Sequence, residues 1–536
     1  MIRLDEQQRS GEVQRGDQER RGAVTRYGMP SENETGVGTG RAPRVVLGVA
    51  IVVAIVVRFL LLDAKPFWRD EAWVALLVDH PLRAITGGRP VPFGFLWLIR
   101  LTRVVVPGPP EISYRFAPLL AGVAIVPLLA RMATTLGAMR WVAVSAAWTA
   151  VGLAPLVYYS RELKPYGIDM LLAVLVPTLA VAGFEGARGR RGPRMALLTV
   201  LLVAPWVTYA GIFPIAAMLA WSWLVQARGA TSGQRRDLLL CSAAFAASFL
   251  ASYLLATASQ VANPRLMIYW DSRMLGHGDA PFWSRLATGV TEYVQLSTTY
   301  FFATSWKPIL AVASVGAVTW PRPHRLLLLW MYAGAAVFCL AASLTDHYLI
   351  AHGRHLLFAL PPLLLWTAQG LWTLARPLGS RLRPVVTVLL PIAFALQLSA
   401  ESVSRRVDSH PTNITEFFRY DTLQDVDDAI AAAEPLVEPE DAVIVSLRTG
   451  YAFQFYRRGR LPQAIYCEIA CPEWEDYAWQ WLGEVTGSTW LILADEEVKR
   501  MRAFLAMAGL TVDERLALRG VRVWKLRPNR TAGDVP

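Results

Sequence analysis

Two adjacent carboxylates, Asp70 and Glu71, stand in the string F-W-R-D-E-A-W (67–73), just past the first long apolar run. Neighbouring acids can divide the work of proton transfer: one takes a proton as general base while the other orients it or binds a divalent cation. Acids also favour the positive N-terminal end of a helix for structural reasons alone, and by residue type that role is the commoner one. Their setting weighs the other way, because a charge kept close to hydrocarbon costs several kcal/mol, about 3 on insertion scales, and is seldom retained without use.

Two further strings combine charge with membrane-edge residues. In Y-Y-S-R-E-L-K-P-Y (158–166), Arg161 and Lys164 could hold a phosphate, Glu162 could serve as a second acid, and Tyr166 closes the turn. Asp169 follows Glu162 by seven positions, but Pro165 keeps the residues before it out of a helix and so separates the two acids. In H-G-R-H-L-L-F-A-L-P-P (352–362), the planar fork of Arg354 suits a phosphate, although an arginine can also simply anchor a helix end. His347, His352 and His355 with Asp346 match no strong ligand spacing, so no metal site is assigned. Asp271, Arg273, His277 and Asp279, within Y-W-D-S-R-M-L-G-H-G-D, lie in a long connection that could cover a site as mobile lids do.

What must position these residues is a set of membrane helices. Eleven apolar segments lie near 45–62, 115–136, 141–159, 166–184, 194–209, 211–226, 238–257, 302–319, 325–343, 355–375 and 384–400. With the first helix starting inside, the chain returns to the cytoplasm at Arg140, 185–194, 226–236, 321–325 and 376–384, all basic and nearly free of acid. This bias predicts a multi-pass protein of the cell (inner) membrane, N-terminus inside and C-terminal region outside. The outer connections are then 63–114, 160–165, 258–301 and 344–354. The first carries two Trp- and Phe-rich amphipathic stretches, 71–80 and 93–103, suited to lying in the interface plane. No repeat of helix triplets is visible, which weakens a transporter reading.

Composition supports this division. The chain of 536 residues is 54% hydrophobic with a mean hydropathy of +0.34, too apolar for an ordinary soluble enzyme. Of 42 acids, only 13 fall between Arg44 and Glu401, whereas the last 136 residues hold 22. The 53 basic residues concentrate in the short loops, which argues against nucleic acid as a partner. Residues 1–44 read as a disordered cytoplasmic tail. Residues 45–400 form the membrane module, and 401–536 an extracytoplasmic α/β domain. Its strands are expected at 441–447, 489–494 and 521–526, with a helix ending at Gly509. Cys241 and Cys339 sit in apolar runs as buried thiols. Cys467 and Cys471 are spaced for a disulfide if that domain is outside.

The Asp70–Glu71 pair opening the first outer loop, followed by an amphipathic helix, resembles the glycosyltransferases of the GT-C superfamily. The branch it resembles contains protein O-mannosyltransferases and the lipid A aminoarabinose transferase. Arg161-Glu162-x-x-Pro165-Tyr166 is similar to that family's signature in the second outer turn, and Arg354 before the Pro361–Pro362 pair to its late arginine; His355 stands where the family more often has Tyr. The resemblance covers roughly 45–400. It implies a GT-C-type polytopic fold and transfer of a sugar from a polyprenyl-phosphate donor in the bilayer to an acceptor hydroxyl outside, with inversion. Asp70 or Glu71 would be the base, Glu162 a further catalytic acid, and Arg161, Lys164, Tyr166 and Arg354 the contacts to the lipid phosphate. The alternatives are a flippase of lipid-linked saccharide, a surface-polysaccharide polymerase or ligase, and a non-catalytic scaffold.

Overall fold

The computed structural model describes residues 41–60, 66–67, 69–82, 90–184, 191–263, 274–275, 280–302, 306–348, 350, 353–404, 426–457, 461, 464–467, 488–507, 509–518 and 520–528. Nearly all of the expected tail therefore lies outside the described residues, as do Asp271, Arg273, His277, Asp279, His352 and Cys471.

Over its described residues, each of the eleven apolar segments is largely helical. In chain order the helices are α1 (Arg41–Phe59), α2 (Arg69–Asp79), α3 (Phe93–Val105), α4 (Phe116–Thr135), α5 (Arg140–Gly152), α6 (Ala154–Ser160), α7 (Tyr166–Phe184) and α8 (Arg191–Val207). They continue as α9 (Ile212–Trp221), α10 (Ser232–Ser252), α11 (Phe282–Phe302), α12 (Trp306–Thr319), α13 (Arg322–Leu344), α14 (Leu360–Leu374) and α15 (Gly379–Ser404). The two amphipathic stretches of the first outer loop are α2 and α3. Among the described residues, six stretches are long and apolar enough to cross a membrane: Arg41–Phe59, Phe116–Thr135, Tyr166–Phe184, Ser232–Val261, His324–Leu344 and Arg354–Leu374. The chain is a multi-pass membrane protein. Most of the other expected crossings lie on shorter helices, of 10 to 17 residues, so among the described residues length and apolarity identify six rather than eleven.

α11 falls where the sequence suggested only a connection. Its apolar positions are diluted by Ser284, Arg285, Thr291 and Glu292, which hides a helix from a hydropathy reading. It lies along α13: Gly289 meets Leu340, and the Tyr293 hydroxyl donates to the Tyr332 carbonyl at 3.2 Å.

Helix packing follows from small residues and broken ladders. α1 turns Ala50, Ala54 and Arg58, spaced by four, toward the bundle, while Val45, Val49 and Val52 are exposed. Pro155 deprives the Val151 carbonyl of the amide that would have continued α5, and the chain bends at Leu153. Arg58 supplies the missing donors, reaching the Val151 carbonyl at 3.3 Å and that of Ala150 at 3.1 Å. α12 and α14 cross at Gly316 and Gly370, where a Cβ on either glycine would overlap a backbone carbonyl of the other helix.

The C-terminal region holds α16 (Val426–Ala433), α17 (Leu447–Tyr456), α18 (Val498–Met507) and a five-stranded sheet in the order β2-β1-β3-β5-β4. β1 (Ala442–Ser446) pairs in parallel with β2 (Ala464–Cys467) and β3 (Thr489–Ala494). β5 (Val521–Pro528) runs antiparallel to β3 and forms a hairpin with β4 (Leu510–Leu518). Gly509, with φ +67°, ends α18 in the left-handed conformation that glycine adopts without cost. α17 packs against α2, seating this domain on the first outer loop.

Candidate functional site

Glu71 sits on the first turn of α2 and is fully buried. Arg115, which precedes α4, grips it with two donors, Nε to Oε1 at 2.7 Å and Nη2 to Oε2 at 2.5 Å. The backbone N–H of Leu163 adds a third bond to Oε1 at 2.7 Å. Burial pulls the Arg115 guanidinium down, but the charge and hydrogen bonds of Glu71 carry it above its ordinary value. An acid held by a bidentate arginine and a backbone amide is an anchor, and this one ties the first outer loop to the second outer turn.

Asp70, its neighbour, points elsewhere. Its side chain is 36% exposed and stands 3.8 Å from Lys164 Nζ, which also lies over the Trp73 ring of α2. The pair differs, then, in access: one carboxylate is locked in protein and the other meets solvent beside a cation.

The second outer turn spans Arg161 to Pro165. Arg161 donates to the carbonyls of Val57 at 3.3 Å and Leu60 at 2.8 Å, satisfying acceptors left over at the C-terminal end of α1. Glu162 is buried beside it. Asp169, on the first turn of α7, accepts from the Thr208 hydroxyl and from the Gly211 N–H at 3.3 Å. It thereby fixes the tight turn between α8 and α9, a role separate from that of Glu162.

Arg354 arrives from the far end of the sequence, in a short 3-10 turn (Gly353–Ala359) leading into α14. Its guanidinium lies 5.9 Å from the Tyr166 ring centre, and Asp70 and Glu162 are acids close enough for their charge to reach it. Arg354 Nε is buried and has no hydrogen-bond partner among the described residues. The Tyr166 ring meets Tyr159 edge-on, with centres 5.2 Å apart, and His355 at a tilt, with centres 6.0 Å apart, and the Tyr348 hydroxyl donates to the His355 carbonyl at 2.8 Å. Asp70, Glu162, Lys164, Tyr166 and Arg354 thus come together from three separate connections.

His347 binds the Tyr253 hydroxyl at 3.1 Å and the Thr345 carbonyl. Among the described residues, no three His, Cys, Asp or Glu side chains are grouped as a metal ion would require. Cys241 and Cys339 are buried and free.

The sequence reading passed over Arg115, Arg58 and the Glu111–Tyr456 pair. Arg58 carried a signal, since it is a charge inside a spanning run with no acid in that run. Arg115 looked like the end of a segment, and nothing local joins Tyr456 to residues more than three hundred positions earlier.

Most of the chain superposes on solved membrane proteins. ArnT from Cupriavidus metallidurans in the apo state superposes with a TM-score of 0.55 at 15% identity, over 92% of this chain and 100% of that one. The same protein bound to undecaprenyl phosphate gives 0.51 at 14% identity, over 91% and 98%. The oligosaccharyltransferase AglB from Archaeoglobus fulgidus, in complex with an inhibitory peptide and a dolichol-phosphate, gives 0.51 at 12% identity, over 92% and 75%. No family model and no curated protein matches the chain. At these identities the likeness is one of fold: the chain has the fold shared by ArnT and AglB.

Proposed function

We propose that this chain is a glycosyltransferase that moves a sugar from a polyprenyl-phosphate-linked donor to an acceptor hydroxyl at the outer face of the cell membrane. The observation that carries this reading is the meeting of an accessible acid and two cations: Asp70 beside Lys164, with Arg354 over Tyr166 and its Nε without a hydrogen-bond partner among the described residues. The fold is consistent with it, since one structure with this architecture was solved with undecaprenyl phosphate and another with a dolichol-phosphate.

Asp70 is assigned as the base. It takes the acceptor proton as the acceptor oxygen bonds to the sugar's anomeric carbon, while the bond from that carbon to the phosphate oxygen breaks. Polyprenyl phosphate leaves with the electron pair. Attack opposite the leaving group inverts the anomeric centre. Arg354 and Lys164 stabilise the charge that grows on the phosphate, which a preorganised cation does best where water is scarce. Tyr166 supports Arg354, Glu162 holds the cations' orientation, and Glu71 and Arg161 position the two turns. The outer side of the membrane is the side of the acids, opposite the basic loops.

Purified protein is incubated with a panel of undecaprenyl-phosphate sugars, and released undecaprenyl phosphate is measured. Turnover by the wild type is expected, with D70N slower by about 10²–10⁴-fold, the range for a lost general base. R354A is expected to lose about 10²–10³-fold, as when a charge-stabilising donor is removed. Turnover by D70N equal to that of the wild type sinks the assignment.

A further inference from the structure

The peptide unit joining Pro66 to Phe67 lies shortly before the carboxylate pair and is held at both ends. Its carbonyl oxygen accepts from Arg115 Nη2 at 3.2 Å, and its N–H donates to the Tyr456 hydroxyl at 2.6 Å. Arg115 is the residue that grips Glu71. Tyr456 comes from the other part of the molecule, at the end of α17 in the C-terminal α/β domain. The same hydroxyl donates to Glu111 Oε1 at 2.9 Å, and Glu111 is itself buried, four residues before Arg115. The phenol thus accepts one hydrogen bond and donates another. Around it the fully buried Phe67 ring meets Tyr114 at 5.7 Å and Phe455 at 5.2 Å, with the Arg115 guanidinium 4.7 Å above its face.

Among the described residues, Asp70 has little else to hold it. Its ion pair with Lys164 is long and its side chain partly exposed, so its position is inherited from the backbone of α2. The Glu71 anchor fixes how α2 is rotated. The Pro66–Phe67 peptide fixes the angle at which the chain enters it.

We infer that Tyr456 is a positioning residue for the transfer reaction: the C-terminal domain, through the Tyr456 hydroxyl on Phe67 N–H and Glu111, sets the place of Asp70. This rests on the proposed function, and it gives the soluble domain a part in the chemistry of the membrane module. A displacement of about 1 Å in a catalytic group can cost 10²-fold in rate, so a brace without substrate contact still acts on turnover. Burial and the Glu111 charge push the Tyr456 phenol upward, which keeps it protonated and able to donate at neutral pH.

The test uses the full chain in lipid nanodiscs and compares wild type, Y456F, E111L, the Y456F/E111L double variant and D70N. Y456F keeps the ring and loses only the hydroxyl. Expected are a fall in kcat of about tenfold with KM for the lipid donor within twofold, and faster amide exchange confined to segment 66–79. The double variant should be no worse than the poorer single one, because both cut the same brace. The inference is overturned if Y456F turns over and exchanges like the wild type while D70N is inactive. It is equally overturned if Y456F lowers only the folded fraction, with kcat per folded enzyme unchanged. An active D70N, or a wild type inert toward every donor, removes the proposed function instead. In that case the positioning role falls with it, and exchange at 66–79 reports only whether a structural tie remains.

Discussion

Glu71 and Arg115 show how a charged pair can be retained for geometry instead of stability. Both side chains are fully buried, and taking both from water offsets most of their mutual attraction. Removing one partner leaves the other buried without its ion-pair partner, which costs about 3–5 kcal/mol. R115A and E71A are each expected to lose that much, read as a fall in thermal unfolding temperature in detergent. The double variant E71L/R115M should recover part of the loss, since neither member of the pair is then left buried and charged without the other, although the Leu163 N–H then lacks its acceptor. Its turnover should stay low, because the buried tie between α2 and the second outer turn is gone and the long Asp70–Lys164 pair and the Lys164–Trp73 contact are looser substitutes. Recovery of both stability and turnover would show that the pair positions nothing. The sequence marked residues 70 and 71 as a unit but could not rank them. Which acid is locked and which is accessible depends on Arg115 and the Leu163 amide, residues that only the fold brings near.

At the scale of elements, the breaks in the helices are as informative as the helices. Pro155 interrupts α5, Arg58 answers the orphaned carbonyls, and Arg161 answers those at the end of α1, so two buried arginines knit three helix ends together. The α12–α14 crossing depends on a different device, two glycines that let backbones touch. G370A is expected to destabilise the protein by about 1–3 kcal/mol, the usual cost of overpacking, because its Cβ would run into the Val312 carbonyl and backbone must move. G192A, in the first turn of α8 with nothing near its Cβ, should leave the unfolding temperature unchanged or slightly higher. Equal effects of the two would mean that the crossing is looser than described. Apolar length made the spanning helices legible, and β1, β3 and β5 were legible as short runs of buried residues. β2 was missed because four residues are too few to show a period. β4 was missed because it is an edge strand carrying Asp513, Glu514 and Arg515, charges that protect an edge and disguise a strand.

The whole molecule sorts its connections into two ends. At one, Arg194 pairs with Asp237 at 2.6 Å, the turn at Gly137 lies against Pro321 and His324, and Gln369 reaches the Thr319 carbonyl, so the basic loops neighbour one another. At the other, Arg161 meets Leu60, Glu71 meets Leu163, Gln260 meets Val91, and Tyr456 meets Phe67. Every contact used to build the candidate site lies at this second end. Helices that alternate between two such ends need only one orientation rule, and the orientation proposed for this chain takes it from the excess of Arg and Lys at the first end, which would favour the cytoplasm. The orientation therefore makes a definite prediction. In a variant with all four native cysteines replaced, a cysteine at Arg515 should react with a membrane-impermeant maleimide in intact cells. One at Arg228 should react only after the cells are opened. The reverse pattern would put Asp70 and Arg354 on the cytoplasmic side, where a donor displayed on the outer leaflet could not reach them, and the transfer reaction would have to be assigned to the other face of the membrane.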